Sequence, residues 1–216
     1  MSEITLDTIE RGMKATCGTV LRNEIYFCEL DALAGDGDFG NSLAAGFRVI
    51  EQDLSTLDKS TINGWLLKIS MIISKHTGGS SGPLWGTAFL RAGAAAGGAE
   101  DLSGAQVVAM LRAAAEGIKA RGQSDVGDKT LLDALVPLTD RLEQELAAGA
   151  GAAEALRAAA GTAREAAEAT EAMVAKRGRA SYTGERSRGS VDAGAVAVAL
   201  IAERINQTWQ KQGGTP

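Results

Sequence analysis

Residues 31–42 read Asp31-Ala-Leu-Ala-Gly35-Asp36-Gly37-Asp38-Phe39-Gly40-Asn41-Ser42, which sets Asp31, Asp36 and Asp38 among Gly35, Gly37 and Gly40. Carboxylates this close in sequence repel one another unless a cation holds them. The glycines let the backbone turn sharply and bring amide groups near a ligand. Acid and exposed amide together suit a hard divalent cation carrying an anion, so the segment reads as a metal–phosphate site. Oxygen donors favour Mg²⁺ or Ca²⁺. No Glu closes a twelve-residue frame, which separates the segment from a calcium-binding EF-hand loop. The plain alternative is a solvated acidic turn that caps the following helix.

Other segments carry compatible chemistry. Gly40-Asn41-Ser42 and Gly78-Gly79-Ser80-Ser81-Gly82 each stand at the start of an apolar-periodic stretch, where free amides and the helix dipole favour phosphate. Neither is a Walker A motif and GDGDFG is not a Rossmann fingerprint, because no strand precedes them. Gly127-Asp128-Lys129-Thr130 can bring Lys or Thr to a nucleotide or can simply cap, and the segment alone does not choose. The run from Lys176 and Arg177 through Arg179, Arg186 and Arg188 is the most basic in the chain and could neutralise a polyphosphate. His76, the single histidine, reads as a polar boundary residue.

The elements that must position these groups are helical. Apolar periodicity predicts eight stretches: about 5–30, 41–54, 62–75, 83–96, 103–121, 129–147, 152–176 and 193–210. No run alternates with the period of a strand. Short links make neighbours antiparallel, so successive connections fall at alternate ends of an up-and-down assembly. The odd connections read AGDGDFG, HTGGSSG, GQSDVGD and GRASYTGERSRGSVD; the even ones read STLDKST, GGAEDLS and AAGAGA. Every loop combining Gly with polar chemistry therefore falls at one end, where a composite site is expected.

The bulk composition is consistent with this. The chain of 216 residues has 27 Gly against 3 Pro, which permits long helices separated by glycine stops. No Pro/Ser linker divides it, so a single domain over 1–216 is expected. A formal charge of −5 with no basic stripe argues against nucleic acid and polyanionic membranes as partners. The first ten residues do not read as a signal peptide and no apolar run is long enough to span a bilayer. Cys17 and Cys28 would lie about 16 Å apart on one helix, too far for a disulfide. They read as small buried hydrophobes of a cytoplasmic protein.

GDGDFG at 35–40, GGSSGPLWGTAFL at 78–90, GDKTLLDAL at 127–135 and GRASYTGERSRG at 178–189 together resemble the nucleotide-binding L subunits of dihydroxyacetone kinases and the ATP-binding domain of the single-chain kinases of that family. The resemblance covers almost the whole chain in order. It implies an all-α barrel of eight antiparallel helices with the nucleotide at one end, and a kinase subunit that transfers a phosphoryl group from ATP, or from ADP recharged in place, to a small ketose. It implies Asp31, Asp36 and Asp38 as ligands of two Mg²⁺ ions, with Arg179 completing the catalytic set. Phe39, Gly40, Asn41, Ser42, Ser80 and Ser81 correspond to phosphate contacts, and Gly122 and Leu131 to the adenine enclosure. Arg179, Asp192, Ala193 and Gly194 correspond to the remaining nucleotide contacts. The ketose would be held by a separate K subunit, and a phosphohistidine phosphotransferase protein is a further implied partner. A paralogous kinase subunit for another small sugar, or a non-catalytic nucleotide-binding regulator, is the alternative. Two positions depart from the family pattern: Phe39 stands where His is usual, and Asp192-Ala193-Gly194 where Asp-Pro-Gly is usual.

Overall fold

The computed structural model describes residues 4–213, and their regular structure is helical throughout. Nine α-helices occur among the described residues: α1 (Leu6–Arg22), α2 (Glu24–Ala32), α3 (Phe39–Asp53), α4 (Ile62–His76), α5 (Ser81–Ala96), α6 (Gly104–Gly122), α7 (Leu132–Ala147), α8 (Ala152–Ala169) and α9 (Ala193–Gly213). Short 3₁₀ turns cover Thr170–Ala172 and Arg179–Ser187. An isolated antiparallel bridge joins Ile4 to Leu102.

Local chemistry sets several of the boundaries. Thr5 and Thr61 accept the Thr8 and Gly64 amides that open α1 and α4, and Ser103 with Gln106 forms a capping box on α6. Three departures from the periodicity have an evident cause. The expected helix over 5–30 breaks at Asn23, which leaves helical geometry at φ −106°, ψ 14° while its side-chain amide donates to Thr19 O at 2.8 Å. Asn competes for its own backbone in this way, and a continuous apolar stripe conceals the break. The stretch expected to run to 176 leaves the α-helix at Ala169, and Met173 is extended. There Thr170 Oγ1 accepts Asp192 N–H at 2.8 Å, so tertiary bonding overrides a run of good helix formers. The helix expected from 129 starts at Leu132, because Asp133 draws the Gly127 and Thr130 amides back onto its carboxylate.

Each main helix packs on the next: α1 on α3, then α3 on α4 and so on to α9, which returns to pack against α1. Helix α2 extends past α1 to pack on α3 and α9. The interior has two textures. Phe27, Phe47, Trp65, Ile69 and Ile73 fill one side with large, fully buried side chains. On the other, Ala155, Ala163 and Ala167 of α8 and Ala195, Ala197 and Ala199 of α9 are likewise fully buried, so small residues let these two helices approach closely. A bidentate pair from Arg164 to Glu203 at 2.7 and 2.8 Å bridges them.

Candidate metal–nucleotide site

The C-terminal end of α2, the N-terminal ends of α3, α5, α7 and α9, and the C-terminal end of α6 surround one cleft of about 550 Å³. A strap formed by residues 173 to 192 crosses it between α8 and α9. Each of the polar loops expected at one end contributes to this cleft. Four helix N-termini face it, and their dipoles favour an anion.

At the acidic corner, oxygens of Asp31, Asp36 and Asp38 lie within 4.8 Å of one another. Asp31 builds the corner as well as belonging to it, since its Oδ2 accepts Asp38 N–H at 3.1 Å and Phe39 N–H at 3.3 Å. Asp36 and Asp38 are exposed. Three carboxylates at this spacing supply the all-oxygen donor set that a hard divalent cation prefers, and they leave room for water and phosphate oxygens. Arg179 crosses from the strap to pair with Asp36 and with Asp38 Oδ2, the latter at 3.3 Å.

Ser42, Ser80 and Ser81 line the cleft beside this corner. Gly78 packs on Ser42, which brings the starts of α3 and α5 together. Helix α5 has no side-chain cap. The Gly82 and Leu84 amides donate to Gly78 O and Ser80 O at 3.4 and 3.3 Å and Pro83 has no N–H, so the Ser80 and Ser81 hydroxyls and the Ser81 amide are what this start can offer a ligand. Phe39 lines the cleft with its ring 5.9 Å from that of the buried Phe27, an apolar wall with nothing to donate. Gly40 and Asn41 stand outside the lining. Gly40 is buried where α3 crosses α2, against Glu24 O and the Cys28 backbone, and the Asn41 amide donates to Cys28 Sγ at 3.3 Å. Cys17 is buried and its thiol is pushed up to about 12 by burial, whereas Cys28 is only partly covered.

Gly122 and Leu131 also line the cleft, as do Leu84, which packs on Gly122, and Val191. Sequence pattern gives no sign of Leu84, Trp85 and Val191 as site residues, because apolar residues of a pocket wall look the same as core residues until the topology joins them. Asp192, Ala193 and Gly194 also line the cleft, where Asp192 Oδ2 caps α9 by accepting Ala195 N–H at 2.7 Å.

Charges around the strap are set by its packing. Burial favours protonation of Asp128, but the Asp125 N–H, Lys176 and Arg177 outweigh it and hold the carboxyl below its ordinary range. Burial pushes Asp192 from 3.8 to about 7; Asp133 and Asp31 add to the rise, and the Ala195 N–H and Lys129 oppose it. A raised folded-state value means that the fold prefers the protonated acid, so this contribution to stability is full below about pH 4 and is lost as pH rises through 7. Asp192→Asn keeps the acceptor for Ala195 and removes the charge. It is expected to raise the ligand-free melting temperature at pH 8 by ~5 °C, a gap that closes towards pH 4. Thermal unfolding of both proteins across that range is the check, and a gap independent of pH would contradict it.

Residues 33–207 match the DAK2 domain. The ADP-binding subunit DhaL of the PEP-dependent dihydroxyacetone kinase of Escherichia coli (strain K12) is 36% identical over 190 residues, covering 88% of this chain and 90% of that protein. L-erythrulose kinase of Pectobacterium atrosepticum is 32% identical over 207 residues, 95% of this chain and 35% of that protein. The crystal structure of the dihydroxyacetone kinase of C. freundii in complex with AMP-PNP and Mg²⁺ superposes with a TM-score of 0.75 at 27% identity, covering 96% of this chain and 35% of that one. The chain thus spans about a third of these longer kinases and nearly all of the E. coli subunit. With the match running over most of its length, the chain belongs to the DAK2 domain family, alongside the ADP-binding DhaL subunits of dihydroxyacetone kinases.

Proposed function

We propose that the whole chain is one nucleotide-binding domain and acts as the phosphoryl-donating subunit of a small-ketose kinase. The observation that carries this reading is the convergence, in one cleft, of the three-aspartate corner, the uncapped start of α5 with Ser80 and Ser81, and Arg179. Asp31, Asp36 and Asp38 would hold two Mg²⁺ ions, which when bound neutralise phosphate charge and draw the nucleotide into line. The helix starts and serines cradle the phosphate oxygens, and Leu84, Gly122 and Leu131 of the cleft wall enclose the base. Arg179 stabilises the charge that spreads over the transferred group. In the reaction a hydroxyl oxygen of the ketose bonds to the terminal phosphorus as the bond to the leaving phosphate oxygen breaks. The hydroxyl proton leaves to a base on the partner that holds the ketose.

The relatives named as DhaL subunits support a separate K subunit as that partner, and the PEP-dependent ones support recharging of bound ADP by a phosphotransferase protein. The kinship with L-erythrulose kinases favours a second reading in which a four-carbon ketose is the acceptor. Both readings place the chain in the cytoplasm. The test mixes the chain with its cognate K subunit and Mg²⁺, supplies either ATP or PEP with the phosphocarriers, and offers dihydroxyacetone and erythrulose in turn. Transfer to one ketose that requires both Mg²⁺ and the partner is expected. An absence of Mg²⁺-dependent ADP or ATP binding by calorimetry would overturn the proposal.

A further inference from the structure

Lys129 takes no part in the chemistry above, yet it is 4% exposed and lines the cleft. Its backbone is left-handed at φ +62°, a conformation that side-chain-bearing residues rarely adopt. An ammonium has three N–H donors and no acceptor. All three are engaged: Nζ donates to Met173 O at 3.2 Å and to Ser187 O and Ser190 O at 2.5 Å each. Those carbonyls bracket the strap, one near its start, one on the last residue of its 3₁₀ turn and one beyond it. The preceding residue holds the same strap from outside, with Lys176 N–H donating to Asp128 O at 3.1 Å and Arg177 Nε to the Asp128 carboxylate at 3.3 Å. Between these ties, Arg177 to Ala180 reach the cleft and Arg179 reaches Asp36 and Asp38.

A buried cation bonded only to neutral carbonyls is a costly way to fill space, and a methionine would pack there without that cost. What a methionine cannot do is gather carbonyls from both ends of one loop. We infer that Lys129 is a positioning residue that ties both ends of the strap to the turn opening α7 and so fixes Arg179 over the aspartate corner, with no N–H left for the nucleotide. The functional half of this inference rests on the reading of the cleft as a nucleotide site; the tie itself does not.

Two measurements on the full chain test it. The first is limited trypsin digestion without ligand, with cleavage sites mapped by mass spectrometry. Lys129→Met is expected to speed cleavage after Lys176, Arg177, Arg179, Arg186 and Arg188 by ~10-fold, as loosening of a local unit does, with helix content unchanged. Unchanged cleavage in the strap would overturn the tie. The second is titration of Mg·ADP into the parent chain, Lys129→Met, Arg179→Ala and the double variant. Lys129→Met alone is expected to weaken binding ~10-fold, and less than about twofold when Arg179 is already absent, because a residue acting through another is not additive with it. Equal factors in both backgrounds would overturn the positioning role. If Lys129→Met does not fold, Lys129→Gln, which buries no charge and keeps two donors, faces the same measurements and criteria. If the parent chain binds no Mg·ADP, the nucleotide reading fails, and the digestion still judges the tie.

Discussion

Exchanging Asp36 or Asp38 for asparagine is expected to lower the proposed phosphoryl transfer by about 100-fold or more, the scale on which preorganised charge at a reacting phosphate acts. Each substitution removes one negative charge from the three-carboxylate corner and one partner from Arg179. Both side chains are exposed and support no core packing, so circular dichroism and the melting temperature should stay close to the parent. Calorimetric titration with Mg·ADP should show the loss in affinity, and titration with adenosine alone should not. Asp31→Asn should behave differently. Its Oδ2 also accepts the Asp38 and Phe39 amides at the start of α3, so part of its effect will appear as lost stability. Undiminished Mg·ADP binding in Asp36→Asn and Asp38→Asn would remove the corner from the site.

The second large effect is expected at Gly40. A methyl group there would fall onto Glu24 O and lie 2.8 Å from Cys28 Sγ and 2.9 Å from Cys28 N. Two of those atoms are helix backbone, so α3 would have to move away from α2. Gly40→Ala is expected to cost ~3 kcal/mol, as overpacking of a rigid contact does, and to lower the melting temperature by ~10 °C. The shift would also move Ser42 and Phe39 in the cleft wall, so Mg·ADP affinity should fall with stability. Gly161 is the control, being exposed in the middle of α8 with open space where a methyl group would sit. There the same substitution should stabilise the protein by ~0.5–1 kcal/mol through helix propensity alone. Thermal unfolding of the two variants should therefore give shifts of opposite sign. A neutral Gly40→Ala would contradict the close crossing of α2 and α3.

The parts of this structure that are legible in the sequence depend on local pattern. Helical type follows from apolar periodicity, and the aspartate corner follows from three carboxylates spaced by glycine. The alternation of polar and bland connections places the composite cleft at one end of the helices. What stays hidden depends on contacts distant in sequence. Lys129 has no readable role in its own segment because its acceptors are the carbonyls of Met173, Ser187 and Ser190. The early end of α8 is masked by good helix formers, since Thr170 is claimed by Asp192 across the strap. Gly40 illustrates a third case. Its motif suggests a phosphate contact, whereas its burial against α2 shows a packing demand within the same six residues.

Helix α9 leaves the cleft at Ala193 and Gly194 and runs 21 residues away from it, about 30 Å at the usual rise. Near its far end, Ile205, Thr208 and Trp209 meet Thr8, Arg11 and Gly12 of α1. The first and last helices therefore come together on the side remote from the cleft. A circularly permuted chain, joined by a short linker across that junction and reopened in the 148–151 link between α7 and α8, would retain every pocket-lining segment. A change of covalent order at that junction would leave the site's walls in place, which suits a domain matched over nearly all of some relatives and about a third of others.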